Sequence, residues 1–425
     1  MSSVQAADIP DPTWPETWPR TADEIHVFDI QGDVLLKLVR HPDEPELESE
    51  CSSVGEEDRP QVEEVFDETP PASVDVPDAE APPLSTPPPP PPPNEEPAPA
   101  VQEPDENAQR DDVSVHSDDS ASSVDILTDV HMRVSSKHLI LASPTFRSML
   151  GPNFEEGQRL RIEGSTDIAL GDDDPDAFEI LLNIIHGLTR KVPRSVSLDM
   201  LTKLSVLVNY YQMHEVVELF SDTWIDNLAR EGLPLSYCPE AISWLLITWV
   251  FHKPLEFREA SRVIELGCDE TLEDDFDESL PIPPPVLAVM LAHRAAAIEG
   301  AMLIVHDIIA RYSGPDILCP VVWDQNNKLA CDSLLLGSLI KGSAAIGIYP
   351  KLYAPYHGIV FKDLAAQIRE MKVFDALHDV CNHGLGRYQS CSDAHGVKSS
   401  IEVSMNALEC AMAGLNLEEF LPQLM

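Results

Sequence analysis

The sequence predicts an α+β fold, a small sheet covered by helices and followed by a mainly helical C-terminal region. Strand-like stretches rich in branched apolar residues lie at Ile25–Val39 and Val130–Val134. From Ala177 onward the apolar residues recur at helical spacing, so that a few strands are covered by several helices. Between the strand regions, residues 41–125 are crowded with Asp, Glu, Pro and Ser and nearly empty of Lys and Arg. Such a segment buries too little apolar surface to offset its ordering entropy, so a disordered insert is expected there.

The opening piece, "DIPDPTWPETWPR", is Pro-rich and places Trp14 and Trp18 four apart. Docking on a surface and remaining mobile are both open to it. Ile25–Val39 has the composition of two short strands joined at Gln31 and Gly32. A two-stranded ribbon alone is marginal, so it requires later sequence to finish its sheet, which makes the acidic stretch an insertion within a domain. Val130, Met132 and Val134 alternate with His131 and Arg133, the period of a half-buried strand. Ser135 or Ser136 is placed to cap a helix over His138–Ala142, and Ser143 with Pro144 to begin another over Thr145–Leu150.

Arg161–Ile168 reads as a further strand and loop. "GDDDPDAF" then supplies acidic caps and an early proline before a helix over Ala177–His186, where negative charge favours the N-terminus. Phe178, Leu181, Leu182 and Ile185 line one face of that helix. Helical periodicity returns over Ser197–Tyr211 and Val216–Ala229.

This order of elements resembles the BTB/POZ domain. The residues that carry the resemblance are Gly32, Asp33 and Leu35 in the first strand, a Ser-Lys-His variant of the usual His-Lys helix opening, "LASPTFRSML", "DDDPDAFEILLNIIHG" and "LTKLSVLVNYYQMHEVVELF". It covers about 25–39 and 126–230. Through "CDSLLLGSLIKG", Gly347–Pro350 and "GLNLEEF" the chain is also similar to fungal proteins in which a BTB-like domain precedes an uncharacterised helical region. The resemblance implies homodimerisation, hetero-oligomerisation or service as an adaptor to a cullin scaffold. It makes Phe146, Met149, Leu150 and Phe154 surface candidates. The alternative for Phe146 and Leu150, four apart on one helical face, is ordinary core packing.

The expected organisation is a Pro/Trp-bearing segment (1–24), first strands (25–40), the acidic insert (41–125), the main BTB-like part (126–230), a helical extension (231–268), a linker (269–285) and a helical C-terminal region (286–425). Pro239–Val250 reads as a strongly apolar helix whose Trp244, Leu245 and Trp249 pack on the next helix. "DETLEDDFDESLPIPPP" marks the linker by clustered charge followed by prolines. A long helix follows over Val286–Tyr312, then an amphipathic helix over Ala365–Val380 and another helix over Ser399–Leu415. His293 and His306, isolated on the first of these, lack the spacing of a metalloprotease helix.

A formal charge of −45 repels phosphate and anionic headgroups, which argues against nucleic acid and membrane surfaces as partners. The longest apolar run, Ala241–Phe251, is about half of the roughly 20 residues that span a bilayer. With no charged start leading into an apolar core at the N-terminus, an intracellular protein is expected, cytoplasmic or nuclear and not secreted. The eight cysteines are widely spaced, unlike a small disulfide scaffold, so free thiols are expected. Within the insert, Pro87–Pro93 forms an extended run that suits a polyproline-recognising module or a plain spacer. Ser53 and Ser122 each precede an acidic residue by three positions, a pattern common in acidic segments.

Cys381, His383, Cys391 and His395 form the compact soft-ligand set, of the kind tetrahedral zinc accepts. Their first pair is too tight for a usual ligand knuckle, so a metal-free loop is the leading expectation, with structural zinc as the alternative; no cofactor is assigned. "GSLIKGSAAIG" reverses the Lys-Gly order of a phosphate loop and reads as a helix followed by a turn. No catalytic residue is assigned, because scattered Ser, His and Asp residues do not define a triad without geometry. The leading expectation is a non-catalytic protein-protein interaction module that binds other proteins or itself. A substrate adaptor for a cullin-based ubiquitin ligase and an enzymatic or zinc-stabilised C-terminal module are the alternatives.

Overall fold

The computed structural model describes residues 14, 15, 18, 19, 21–41, 127–171, 173–269, 271, 272, 280–320, 324–374, 393 and 395–421. Pro87 and Pro93, the serines of the insert and the disorder expected over 41–125 lie outside them, apart from His41. The described residues form a mixed α+β structure with a four-stranded sheet in the order β1-β3-β2-β4. The strands are β1 (Glu24–Val27), β2 (Val34–Arg40), β3 (Thr128–Val134) and β4 (Thr166–Ala169).

The two early strands do not pair with each other. β3 lies between them, parallel to β1 and antiparallel to β2, and β4 runs parallel to β2 on its far side. The turn after β1 explains the separation. Gly32 donates to the Asp29 carbonyl, and a Cβ at Gly32 would sit 2.6 Å from the Val134 carbonyl oxygen, so the chain crosses the end of β3 where only glycine fits.

Register follows the apolar pattern. Val34, Leu36 and Leu38 face Val134, Met132 and Val130, and all six are buried beneath the helices. The opposite face is closed as well, so β3 is buried on both sides rather than half-buried. On that face Arg133 lies under the rings of Trp14 and Trp18, 5.5 and 5.6 Å from their centroids, and donates from Nε to the Gly32 carbonyl at 3.0 Å. Trp14 and Trp18 therefore dock on the sheet.

Helices α1 (Ser136–Ala142), α2 (Pro144–Met149), α3 (Glu155–Glu163), α4 (Pro175–Ile185), α5 (Leu198–Tyr211) and α6 (His214–Ala229) complete this part of the chain. Ser135 makes no side-chain cap on α1. Asp33 caps it instead, accepting from the Ser136 backbone N–H and hydroxyl, both at 2.7 Å. Ser143 caps α2 through the Phe146 N–H, Asp174 caps α4 through Ala177, and Ser197 caps α5 through Met200. Arg161–Glu163 is the end of α3 rather than part of a strand. Glu155 and Glu156 suit that helix's N-terminus, and Gly164, at φ 80°, stops it and leaves only Thr166–Ala169 extended.

Helices α7 (Pro239–Val250) and α8 (Pro254–Gly267) extend the first core, which also takes in Val286, Met290, Leu415 and Leu417. Cys268 and Leu272 are fully buried in that core, so the start of the expected linker belongs to packed structure; 270 and 273–279 lie outside the described residues. A second core is built from the later part of α9 (Pro284–Tyr312) with α10 (Gln325–Ala345), α11 (Phe361–Glu370) and α12 (Val397–Ala411). The "GSLIKGSAAIG" string ends α10 and turns at Gly347, φ 79°.

α9 crosses both cores. Among the described helices it is the one long and apolar enough to cross a membrane by length and composition, which a search for unbroken apolar runs overlooks because His293, Arg294 and Glu299 interrupt it. Its Val286, Met290, Ile298, Met302 and Val305 are buried against neighbouring elements. Arg294, also buried, donates to the carbonyls of Tyr356 and Ile359 at 2.8 and 2.7 Å. His293 contacts the buried Glu265 of α8 at 2.8 Å, and His306 contacts the Ile348 carbonyl at 2.7 Å, so both histidines join elements.

Replacing Asp33 removes both acceptors at the start of α1. Asp33→Ala should lower unfolding free energy by about 1–2 kcal/mol in urea denaturation, with Asp33→Asn, which keeps one acceptor, losing less.

Candidate functional site

Two places among the described residues are candidates for function: the outward side of α3 and a buried sulfur and nitrogen cluster in the second core. α3 contributes a single buried residue, Gly157. A Cβ there would fall 1.9 Å from the Gly151 carbonyl oxygen, so glycine lets the helix lie against the preceding turn. Arg159 pins the helix to the sheet by donating to Asp167 of β4 at 2.7 Å, and Lys37 of β2 reaches the same carboxylate at 2.6 Å. Burial pushes the Asp167 carboxyl up, but the hydrogen bonds and charges of Lys37 and Arg159 outweigh it and hold the group below the ordinary carboxylate range.

What α3 turns to solvent is partly apolar. Phe154, at its N-cap, is 46% exposed, and Ile162, two turns on, is 83% exposed. Phe146 and Leu150, by contrast, belong to the core rather than the surface. Phe146 stacks on Tyr211 at 4.7 Å and meets Phe178 edge-on at 6.4 Å, while Ser143, which caps its helix, donates to the Tyr211 carbonyl. Leu150 is buried beside them and Met149 is half-buried. Of the four apolar surface candidates, Phe154 is the one that is exposed. Ile162 was not legible as its companion because a strand reading of Arg161–Ile168 hides the helical spacing that places both on α3.

Three histidines in this part of the chain are held below their ordinary range, each chiefly by burial. The Lys37 charge adds to burial at His131, and the neighbouring His252 adds to it at His214. At His186 the Leu182 carbonyl works against burial and His138 with it; the Ser135 N–H donates to His186 Nε2 at 3.2 Å, which requires the neutral ring.

Of the expected zinc set, Cys381, His383 and Cys391 lie outside the described residues. His395, just before α12, is brought to Cys319, in the loop after α9, and Cys331, in the second turn of α10. The ligand atoms of these three residues lie within 4.8 Å of one another. Cys331 Sγ is 3.6 Å from His395 Nε2, and Asp332 Oδ1 is also 3.6 Å from that nitrogen. Asp332 Oδ2 accepts from the Leu318 N–H at 2.7 Å, fastening the loop that carries Cys319 to α10. Neither cysteine stood out in the sequence, since no short ligand spacing links positions 319, 331 and 395. A cysteine beside a histidine is also the pair of a thiolate nucleophile, but Cys331 is 1% exposed and the His395 side chain 0%, which leaves a substrate no access.

A cleft of about 410 Å³ runs along another side of α10, lined by Ser333, Ser338, Lys341, Lys372 and Phe374 among others. Its Ser338 hydroxyl donates to the Leu335 carbonyl and accepts from the Phe374 N–H, so it is engaged in holding structure.

No family model, curated protein or solved structure matches the chain.

The three depressed histidines set a pH dependence. The folded state takes up their protons less readily than the unfolded chain does, so their contribution is whole above about pH 6.5 and is lost as pH falls through the lower folded values. The melting temperature should therefore drop between pH 7.5 and 5.5, before most carboxylates titrate. His186→Gln, which retains an acceptor but no proton to gain, should flatten the drop when both chains are melted side by side.

Proposed function

We propose that this chain is a non-catalytic protein-interaction module of BTB-like form, and that the outward side of α3 meets the partner. The observation that carries the reading is the pair Phe154 and Ile162, displayed at the start and along the outer side of a helix whose one fully buried residue is Gly157 and whose Leu160 packs half-buried against the core. Apolar side chains rigidly presented beside charged neighbours are what a partner protein desolvates to gain affinity. Support for the BTB-like form comes from the order of elements in the first core: the antiparallel strands β2 and β3, the helical pair α1 and α2 followed by α3, a strand returning parallel to β2, then the helices that close the sheet. The adaptor form of this reading is the case in which the partner is a cullin.

The test is light scattering combined with mass-spectrometric identification on the chain isolated from its native extract. A defined complex, either a dimer or an assembly with another protein, is expected, and a cullin within it would select the adaptor form. Phe154→Glu with Ile162→Glu should weaken that complex by about 2 kcal/mol, roughly 30-fold, because a central contact loses its apolar anchor. Both positions are exposed, so the melting temperature should hardly move. A chain that remains a partner-free monomer, or a complex indifferent to both substitutions, would contradict the proposal.

A further inference from the structure

We infer that Cys319, Cys331 and His395 bind a zinc ion that staples the C-terminal helical region. The three residues come from separate pieces of chain, the loop after α9, the body of α10 and the approach to α12, yet their ligand atoms fall within 4.8 Å of one another. In a tetrahedral site with zinc about 2.3 Å from sulfur and about 2.0 Å from nitrogen, the sulfur–nitrogen edge is about 3.5 Å. The observed separation of Cys331 Sγ and His395 Nε2 is 3.6 Å. Two thiolates and an imidazole are borderline-soft donors, which favours zinc over calcium or magnesium.

Burial separates this site from a chance surface cluster. Cys319 and Cys331 are 5% and 1% exposed, and the His395 side chain is 0%. Ionised thiolates are costly to bury without a compensating cation, and zinc supplies that charge. No disulfide joins the two cysteines. Asp332 holds the Cys319 loop to α10 through Leu318 and places its other carboxylate oxygen 3.6 Å from His395 Nε2, a buried oxygen beside the three donors. Tyr312, at the end of α9, sets its ring edge-on to His395 at 6.0 Å, so the site ties the end of α9 to α10 and α12. Such an ion acts on stability, not on a reaction, because the donors are closed off from solvent.

The experiment is zinc analysis of the full chain purified without chelator, followed by titration with an organomercurial that displaces zinc from thiolates. About one zinc per chain is expected, released as two cysteines react, and peptide mapping of the modified protein should identify Cys319 and Cys331. Cobalt added to metal-free chain should give a thiolate-to-cobalt charge-transfer band that is diminished in Cys319→Ser and Cys331→Ser and preserved in Cys410→Ser, an exposed cysteine elsewhere. The mapping uses the unmutated chain, so it stands even if a serine variant fails to fold. A chain that takes up neither metal would overturn the inference. So would zinc released by reaction at Cys381 and Cys391 with Cys319 and Cys331 untouched, which would return the ion to the set that is compact in sequence.

Discussion

The pairing of β2 with β3 is the constraint on which the first core depends. It joins Val34, Leu36 and Leu38 to Val134, Met132 and Val130 across a connection of roughly 90 residues, where a hairpin would use about four. Closing the longer loop costs about 3 kcal/mol more, by the slow logarithmic growth of closure entropy. Burying one such apolar side chain contributes about 1.5–3 kcal/mol, and here six are removed from water together. Burial therefore exceeds closure, and the strand pair tolerates a long insertion at its turn. Once β3 is seated, β1 gains its edge on one side, and on the other β2 gives β4 its own.

The same strand couples the two faces of the sheet. Its apolar side chains anchor the helices, whereas Arg133, on the opposite face, gives the Trp14 and Trp18 rings a cation to stack upon and ties the Gly32 turn by hydrogen bond. That turn leads directly to Asp33, which caps α1. Strand, turn and helix start are thus linked through neighbouring residues, and the outward α3 rests on β4, the last strand to join. Farther along, α9 performs the corresponding service for the helical half by contributing its first turns to one core and the rest of its length to the other.

Local chemistry made much of this legible. Ser143, Asp174 and Ser197 are helix caps recognisable from residue type and position, and the apolar faces of α4 and α5 follow from helical spacing. What local pattern does not encode is which strands become neighbours. β3 takes the place between β1 and β2 where composition suggests a two-stranded ribbon, and the cap on α1 comes from Asp33, far away in sequence, instead of the adjacent Ser135. α3 was hidden for another reason: of its two large apolar residues Leu160 packs inward and Ile162 faces solvent, so it lacks the buried stripe by which an amphipathic helix is recognised. The sulfur cluster was hidden because its members meet only after α9, α10 and α12 have packed, while the compact motif ending at His395 drew attention to a different pair of cysteines.

The most direct measurement is the unfolding free energy of a chain in which residues 42–126 are replaced by a short Gly-rich turn, compared with the full chain in urea. If β2 and β3 are partners across the insertion, the shortened chain will fold cooperatively, keep its sheet and helix signals, and gain about 2–3 kcal/mol from the smaller closure entropy. A shortened chain that loses cooperative unfolding, or in which Leu36→Ala and Met132→Ala no longer destabilise by the several kcal/mol expected of buried residues, would contradict the pairing and the account built upon it.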